Sequence, residues 1–101
     1  MERGVEGGGG VKFEWDPEKE RTNESKHGVS FQEAITVFND PMAITFVDPD
    51  HSDDEQRFVT IGYSSDGKLL VVYHADRKGV GRLIGARAGT RRERKKHEGE
   101  E

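Results

Sequence analysis

The sequence predicts a small α+β domain with a mostly antiparallel sheet. Its 101 residues are enough for one hydrophobic core. Helix-like apolar spacing is confined to the first half of the chain, and the second half consists of short strand patterns separated by turn signals. Strands that follow one another through short turns pair antiparallel. The predicted element order is β-α-α-β-β-β-β-α.

The two ends of the chain are predicted to lie outside this domain. Residues 1–10 include four consecutive glycines, and ordering glycine costs more conformational entropy than ordering any other residue. We therefore expect a flexible leader over residues 1–10, a single domain over residues 11–98 and a tail over residues 99–101. The first predicted strand, residues 11–15, alternates apolar and polar side chains, as a strand with one buried face does.

The first predicted helix spans residues 17–27. Asp16 provides the N-cap, Pro17 suits the first helical position, and Gly28 suits the left-handed residue that follows a helix. The helix carries no large apolar side chain, so it has no apolar stripe that could drive it into a core. We expect it to dock through the stems of its long side chains or to present a working surface.

The second predicted helix begins after Ser30. Ser30 and Glu33 have the spacing of a capping box, in which each side chain bonds the other residue's backbone N–H. Asn39-Asp40-Pro41 ends the helix, because proline disfavours the helical conformation for the residue before it. Apolar residues recur between these ends with the spacing of a core-facing helix: Phe31, Ala34, Ile35 and Phe38.

Four further strands and a final helix complete the prediction. Asp66-Gly67 predicts a tight turn between the second and third of these strands, because both residues tolerate positive φ. The third strand is apolar on both faces, which predicts a central place in the sheet. Thr90 and Glu93 have the spacing of another capping box and open a short basic helix. The four strands span residues 43–47, 57–63, 69–74 and 82–87.

The net charge of −4 conceals two halves of opposite sign. Residues 1–56 carry 14 acidic and 5 basic side chains, whereas residues 57–101 carry 6 acidic and 11 basic ones. Residues 77–96 alone hold nine basic side chains and one acidic side chain. Such a segment indicates either a polyanionic partner or a solvated face on a terminal helix, and charge alone does not decide between them.

Composition and motifs exclude several classes of function. The absence of cysteine excludes disulfides, thiolate metal sites and cysteine nucleophiles, and it fits a reducing compartment. No apolar run approaches the ~18 residues of a membrane span, and the start lacks the pattern of a signal peptide. No serine lies in a nucleophile elbow, and no glycine-rich phosphate loop joins a strand to a helix.

The acidic loop at residues 48–55 raises the question of a metal site. An EF-hand loop that begins at Asp48 needs glycine and glutamate where this chain has Asp53 and Val59. The four histidines lack the spacing of a zinc motif. We therefore predict no metal ion and no other cofactor, and we interpret the loop as a charged hairpin connection.

Two clusters of side chains could carry chemistry. The first lies on one face of the first helix, where histidine and lysine allow acid–base catalysis or neutralise the negative end of the helix. It consists of Lys19, Asn23, Lys26 and His27. The second is a set of arginines, whose planar forks suit phosphate. It consists of Arg82, Arg87, Arg91 and Arg94.

The spacing of Arg82 and Arg87 poses a geometric problem. Residues five apart on a regular strand point to opposite faces of the sheet. Either only one of the two arginines faces the site, or Gly85 marks a bulge that restores a common face.

Motifs in both halves of the chain resemble the BrnT family of bacterial toxins, over residues 11–98 and in the family's order. The N-terminal motifs are Phe13-Glu14-Trp15-Asp16, Lys26-His27-Gly28-Val29-Ser30-Phe31, Glu33-Ala34 and Asp40-Pro41. The C-terminal motifs are Arg57, Ile61-Gly62, Leu70-Val71-Val72-Tyr73, Arg82-Leu83-Ile84, Ala86-Arg87, Thr90 and Glu93-Arg94.

The resemblance implies a RelE-like fold and a cytoplasmic ribonuclease that inhibits translation. It implies no metal and no membrane association. The implied partners are an RNA substrate and a BrnA-like ribbon-helix-helix antitoxin, which forms a hetero-oligomer with the toxin and provides its only link to DNA. We assign phosphate stabilisation to Arg82 and Arg87, and proton transfer to Lys26 or His27. Residues assigned to RNA binding are Arg57, Tyr73, Arg91 and Arg94.

Some positions depart from the family pattern. Gly85 stands where serine is usual, Ala88-Gly89 where a basic residue and alanine are common, and His97 where tyrosine is common. The departures at Gly85 and Gly89 keep a second interpretation open, a weakened or non-catalytic module that binds RNA or docks the antitoxin. A third interpretation is a metal-dependent nuclease that uses the acidic loop.

Overall fold

The computed structural model describes residues 3–6, 12–49 and 55–99, with the backbone alone described for residues 3–6. These residues form six strands and three α-helices. None of the three helices is long and apolar enough to cross a bilayer. In chain order the elements are β1 (Arg3–Glu6), β2 (Lys12–Trp15), α1 (Pro17–His27), α2 (Phe31–Ile35), a 3-10 helix (Thr36–Asn39), β3 (Ile44–Val47), β4 (Arg57–Tyr63), β5 (Leu69–Arg77), β6 (Val80–Ala88) and α3 (Arg91–His97).

The six strands form one sheet in the order β1-β2-β6-β5-β4-β3. Strand β2 pairs with β6 in parallel, and the other four pairings are antiparallel. The predicted α+β class with a mostly antiparallel sheet is therefore confirmed. The apolar strand predicted to be central is β5, which lies between β4 and β6.

Strand β1 departs from the prediction that residues 1–10 take no part in the fold. Residues 3–6 pair antiparallel with β2, with Arg3 opposite Trp15 and Glu6 opposite Lys12. Sheet pairing uses backbone groups, so a segment without apolar alternation can still pair at an edge. The rest of the predicted leader, residues 1–2 and 7–10, lies outside the described residues.

The hydrophobic core lies between the sheet and the segment that contains α2. Trp15 and Phe31 are fully buried and meet edge to face, with ring centroids 6.0 Å apart. Burial of a large apolar side chain stabilises a fold by about 1.5–3 kcal/mol. The other core residues are Phe13, Val29, Ala34, Ile35, Val37, Leu70, Val72, Leu83 and Ala86.

Helix α1 docks through polar groups, which explains how a helix without an apolar stripe packs. The Glu20 carboxylate accepts hydrogen bonds from the Trp15 indole at 3.1 Å and from the Phe31 backbone N–H at 3.2 Å. Asn23 is buried, and its amide donates to the carbonyl of Val29 at 2.9 Å. The sequence predicted docking through side-chain stems or a working surface. The structure shows hydrogen bonds of Glu20 and Asn23 that attach the helix to the rest of the domain.

Asn23 also takes the place of a missing strand beside β6. Strand β2 pairs with β6 only at Gly81 and Arg82. Further along β6, the Asn23 amide donates to the carbonyl of Ala86 at 2.8 Å and accepts from the Ala86 N–H at 3.1 Å. One side chain therefore satisfies both backbone groups of a residue that has no neighbouring strand on that side.

Helix α2 is shorter than predicted. After five residues it continues as the 3-10 helix, where the Thr36 hydroxyl donates to the Glu33 carbonyl at 2.6 Å. Half of the predicted capping box forms: Ser30 accepts from the Glu33 N–H at 3.0 Å. The Glu33 carboxylate instead accepts from the Ser64 hydroxyl at 2.9 Å, because the hairpin turn of the sheet lies beside it.

Candidate functional site

A bulge in β6 brings Arg82 and Arg87 to a common face of the sheet. Arg82 lies opposite Ala75, and Arg87 lies opposite Val71. Between them the register shifts by one residue and leaves Ile84 without a partner on β5. Ala75 and Val71 are four residues apart on a regular strand and share a face, so the two arginines share it too. The bulge interpretation proposed for Gly85 is confirmed.

The same face carries two more of the predicted RNA-binding residues. Arg57 on β4 also lies opposite Ala75, so the strand pairing places Arg57 and Arg82 on either side of it. Tyr73 lies between the levels of Ala75 and Val71 on β5. The fold therefore gathers four of the eight predicted site residues on one face, which we call the arginine face: Arg57, Tyr73, Arg82 and Arg87.

Arg87 is held by a bidentate ion pair with Glu93, the third residue of α3. Its Nη1 and Nη2 each donate to one carboxylate oxygen of Glu93 at 2.9 Å. Nη1 also donates to the Ala88 carbonyl at 3.2 Å. The pair raises the pKa of Arg87, with a smaller contribution from a hydrogen bond to Tyr73, and it lowers the pKa of Glu93 to about 2. Both groups are therefore charged at neutral pH.

Helix α3 is anchored by the capping box predicted at Thr90 and Glu93, and both of its bonds form. The Thr90 hydroxyl accepts from the Glu93 N–H at 3.1 Å, and the Thr90 N–H donates to Glu93 Oε1 at 2.8 Å. Arg91 and Arg94, the remaining predicted RNA-binding residues, are exposed on this helix. Their charges are therefore open to solvent.

A groove separates β3 from α3. One cavity of about 440 Å³ is lined by Ile44, Phe46, Ile61, Glu93, Lys96 and His97. A second cavity of about 310 Å³ shares three of these residues and extends to Tyr73 and Arg87. We call the two cavities together the α3 groove. It connects an apolar strand with the arginine face.

Strand β3 exposes large apolar side chains beside this groove. The exposed fractions are 68% for Met42, 55% for Ile44, 46% for Phe46 and 51% for Val47. Ile44 and Phe46 line the groove, whereas Met42 precedes the strand and Val47 lies on its other face. Exposed apolar side chains beside a groove mark an interaction surface. In the sheet order, β3 is also an edge strand.

Lys26 and His27 lie apart from the arginine face. Both are exposed near the end of α1 and line a separate cavity of about 370 Å³, together with Ile84, which we call the α1 cavity. The other predicted members of that cluster, Lys19 and Asn23, line the same cavity. This cavity contains no residue of the arginine face, and the α3 groove contains Arg87 but neither Lys26 nor His27. Asn23 binds backbone groups and is structural.

The glycines that depart from the family pattern differ in the space around them. A Cβ atom on Gly85 would lie 3.5 Å from Asn23 Oδ1, an ordinary contact, so a serine fits here. A Cβ atom on Gly89 would lie 2.8 Å from Leu69 Cδ2, which is too close without movement of that side chain. The absence of a side chain at Gly89 therefore has a packing reason.

His74 is half-buried on the other side of the sheet from the arginine face. Its Nε2 lies 2.7 Å from the Thr60 hydroxyl, and its ring stacks on Phe58 with centroids 5.7 Å apart. Burial lowers the pKa of His74 to about 4, so the ring is neutral at neutral pH. We assign it a structural role.

The acidic loop is only partly described. Residues 50–54 of the predicted hairpin connection lie outside the described residues. Within residues 12–49 and 55–99, no three histidine or carboxylate side chains are grouped as metal ligands.

Sequence reasoning missed the contacts that Glu93 and Asn23 make with β6. The sequence indicates Glu93 as a capping residue and Asn23 as part of a polar helix face. Neither pattern reveals the partner that each side chain finds on β6, since those contacts depend on how the helices meet the sheet.

Comparisons with known proteins agree with this architecture. A family model described as the ribonuclease toxin BrnT of type II toxin–antitoxin systems matches residues 15–93. Among solved structures, the chain is similar to the crystal structure of the Brucella abortus ribonuclease toxin BrnT, with a TM-score of 0.57 and 22% identity. The match covers 76% of this chain and 94% of that chain, and it concerns the fold. No curated protein matches the chain in sequence.

Proposed function

This chain belongs to the BrnT family of ribonuclease toxins of type II toxin–antitoxin systems, and we propose that it cuts RNA without a metal ion and inhibits translation in the cytoplasm. The family expected from the sequence motifs is confirmed. The arginine face is the observation that supports the proposal most strongly. Its arginines can supply the charge stabilisation that a metal ion supplies in other nucleases.

The proposed reaction is an internal transesterification of RNA. The ribose 2′-oxygen bonds to the adjacent phosphorus and loses its proton to a base, while the bond from phosphorus to the 5′-oxygen breaks and that oxygen takes up a proton. The products are a 2′,3′-cyclic phosphate and a free 5′-hydroxyl. Arg82 and Arg87 stabilise the negative charge on the phosphorane. Arg57 and Tyr73 position the substrate, and Arg91 and Arg94 bind its backbone.

Lys26 or His27 is the proton-transfer group of this proposal. The α1 cavity meets β6 at Ile84, three residues before Arg87, so both sites open on the same strand. An RNA strand that crosses β6 at this point can contact both. The proposal therefore requires the substrate to run from the α1 cavity towards the arginine face.

A second candidate is a module that binds RNA or the antitoxin without turnover. The pairing of Arg87 with Glu93 favours it, because the fork that we assign to phosphate already holds a carboxylate. The third candidate, a metal-dependent nuclease, requires carboxylates of the acidic loop.

One experiment separates these candidates. Purified protein is incubated with single-stranded RNA, with and without EDTA, and the new RNA ends are identified. We expect cleavage that persists in EDTA and leaves 2′,3′-cyclic phosphate or 3′-phosphate together with 5′-hydroxyl. Binding without cleavage supports the module, and cleavage that EDTA abolishes supports the metal-dependent nuclease.

The proposed protein partner is a BrnA-like ribbon-helix-helix antitoxin that inserts an acidic amphipathic segment into the α3 groove. Apolar side chains of β3 form one wall of the groove, and the other wall is a helix with five basic side chains. Its one acidic residue, Glu93, is already paired with Arg87. An occupant with apolar residues on one side and carboxylates on the other complements both walls. It also covers Tyr73 and Arg87, which accounts for neutralisation.

Adjacent residues of β3 provide a matched test of this interface. Phe46 lies in the α3 groove, whereas Val47 is equally exposed and points to the other face. We expect Phe46→Glu to weaken binding of the antitoxin by about a hundredfold. The change removes an apolar side chain that the antitoxin buries in the complex, and the new charge repels the carboxylates of the antitoxin. Val47→Glu should leave the affinity within about twofold. Equal effects of the two variants in calorimetric titrations would place the antitoxin elsewhere.

A further inference from the structure

The Nη1–Nη2 edge of the Arg87 guanidinium is occupied. Both N–H groups of Nη1 are used, one by Glu93 and one by the Ala88 carbonyl, and Nη2 donates to the other oxygen of Glu93. A carboxylate and a phosphodiester present the same pair of oxygens to an arginine fork. A phosphate therefore cannot bind this edge of Arg87 while Glu93 occupies it.

Glu93 has a second set of partners that does not depend on Arg87. Its Oε1 accepts from the Thr90 N–H at 2.8 Å, and its own N–H donates to the Thr90 hydroxyl at 3.1 Å. If Arg87 releases the carboxylate, the capping box still holds the side chain and the first turn of α3. Exchange at Arg87 therefore does not require α3 to unfold.

The pair is also accessible to a ligand. The side chains of Arg87 and Glu93 are 32% and 29% exposed, and both line the α3 groove beside Tyr73. An anion in the groove can approach the guanidinium from the same side as the carboxylate. Water screens the attraction in a partly exposed ion pair, so an anion of the substrate can compete with the carboxylate for the guanidinium.

We propose that Glu93 is a positioning residue that stands in for an RNA phosphate on Arg87 and is exchanged for it when the substrate enters the groove. The inference rests on the proposed function, in which Arg87 binds a phosphate of the substrate. In the free protein Glu93 holds the guanidinium plane in the orientation that the phosphate needs. Glu93 also competes with that phosphate and so sets the affinity for RNA.

Glu93→Gln tests the exchange because it removes the charge and leaves the cap. Glutamine is as suitable as glutamate at the third position of a capping box. We expect Glu93→Gln to bind a single-stranded 2′-O-methyl RNA, which keeps the phosphates but cannot be cleaved, about tenfold more tightly than the unmodified protein. The slope of log Kd against log[NaCl] should stay the same, because Arg87 contacts the same phosphate in both proteins once the RNA is bound.

A purely structural ion pair predicts the opposite behaviour. If Glu93 only anchors α3 to the sheet, Glu93→Gln lowers the melting temperature and leaves the RNA affinity unchanged or reduced. That result overturns the inference. Should the variant not fold, the side-chain N–H signals of Arg87 in the unmodified protein are followed by NMR during titration with the same oligonucleotide. A shift of these signals supports exchange, and their constancy at saturation overturns it.

Arg87→Ala separates failure of this inference from failure of the proposed function. If Arg87→Ala weakens RNA binding and Glu93→Gln does not strengthen it, Arg87 contacts RNA and only the role of Glu93 is wrong. If Arg87→Ala and the unmodified protein bind and cleave RNA equally, the arginine face is not the substrate site, and both proposals fail.

Discussion

Arg87→Ala is expected to reduce the rate of RNA cleavage by about a hundredfold or more. In the proposed mechanism Arg87 donates two hydrogen bonds to the phosphate at the moment when the negative charge on the phosphate increases. Removing one such donor costs about 3 kcal/mol of transition-state stabilisation, which corresponds to that factor in rate. The same reasoning applies to Arg82→Ala, because the bulge at Ile84 places the two arginines on one face.

The measurement is the single-turnover cleavage rate of a short RNA, with the folded state of each variant checked by circular dichroism. Arg87→Lys keeps the charge and loses the planar fork, so it should recover only part of the rate. Arg21→Ala is the matched control, since Arg21 is an exposed arginine of α1 that pairs with Glu18. Unchanged rates in both Arg82→Ala and Arg87→Ala would remove these residues from the proposed mechanism.

Asn23→Ala is expected to destabilise the fold by about 3 kcal/mol. The side chain makes three buried hydrogen bonds to the backbone, two to Ala86 and one to Val29. Its removal leaves backbone groups of β6 without a partner, and each buried unsatisfied group costs about 1–3 kcal/mol. Since a domain of this size is stable by about 5–15 kcal/mol, the loss is a large part of the total.

Urea unfolding measures this effect directly. Ser25→Ala serves as the control, because Ser25 is exposed two residues further along the same helix. Asn23→Asp is informative as a second variant: it keeps an acceptor for the Ala86 N–H but loses both donors, so it should also destabilise. A loss below about 0.5 kcal/mol for Asn23→Ala would show that water replaces the amide.

Elements with strong local signals were predictable from the sequence. Helix α1 begins after Asp16 and ends at Gly28, whose φ is +70°, because capping residues act through bonds to their immediate neighbours. The capping box of α3 formed for the same reason. Strand β1 was missed because its pairing with β2 uses backbone groups, which leave no side-chain pattern in the sequence. The 3-10 end of α2 was missed because it depends on where the hairpin turn packs.

The candidate site was predictable only in part. The odd spacing of Arg82 and Arg87 left two alternatives, a single arginine on the site or a bulge with a shared face. The structure has the bulge. The roles of Asn23 and Glu93 were not predictable, since both bind residues of β6 that the helices reach only after folding. Helical periodicity correctly placed Asn23 beside Lys26 and His27, since all three line the α1 cavity. It did not reveal that the Asn23 amide also bonds to the backbone of β6.

Because Ile84 has no partner on β5, the arginine face depends on the number of residues between Arg82 and Arg87. Side chains alternate between the two faces of a strand, so loss of one residue between Arg82 and Arg87 sends one arginine to the opposite face. Such a deletion would keep every arginine of the protein and still separate the arginines of the proposed phosphate site. A relative that keeps all the site residues but lacks this extra residue would therefore be a silenced toxin, and an alignment that ignores gaps would not reveal it.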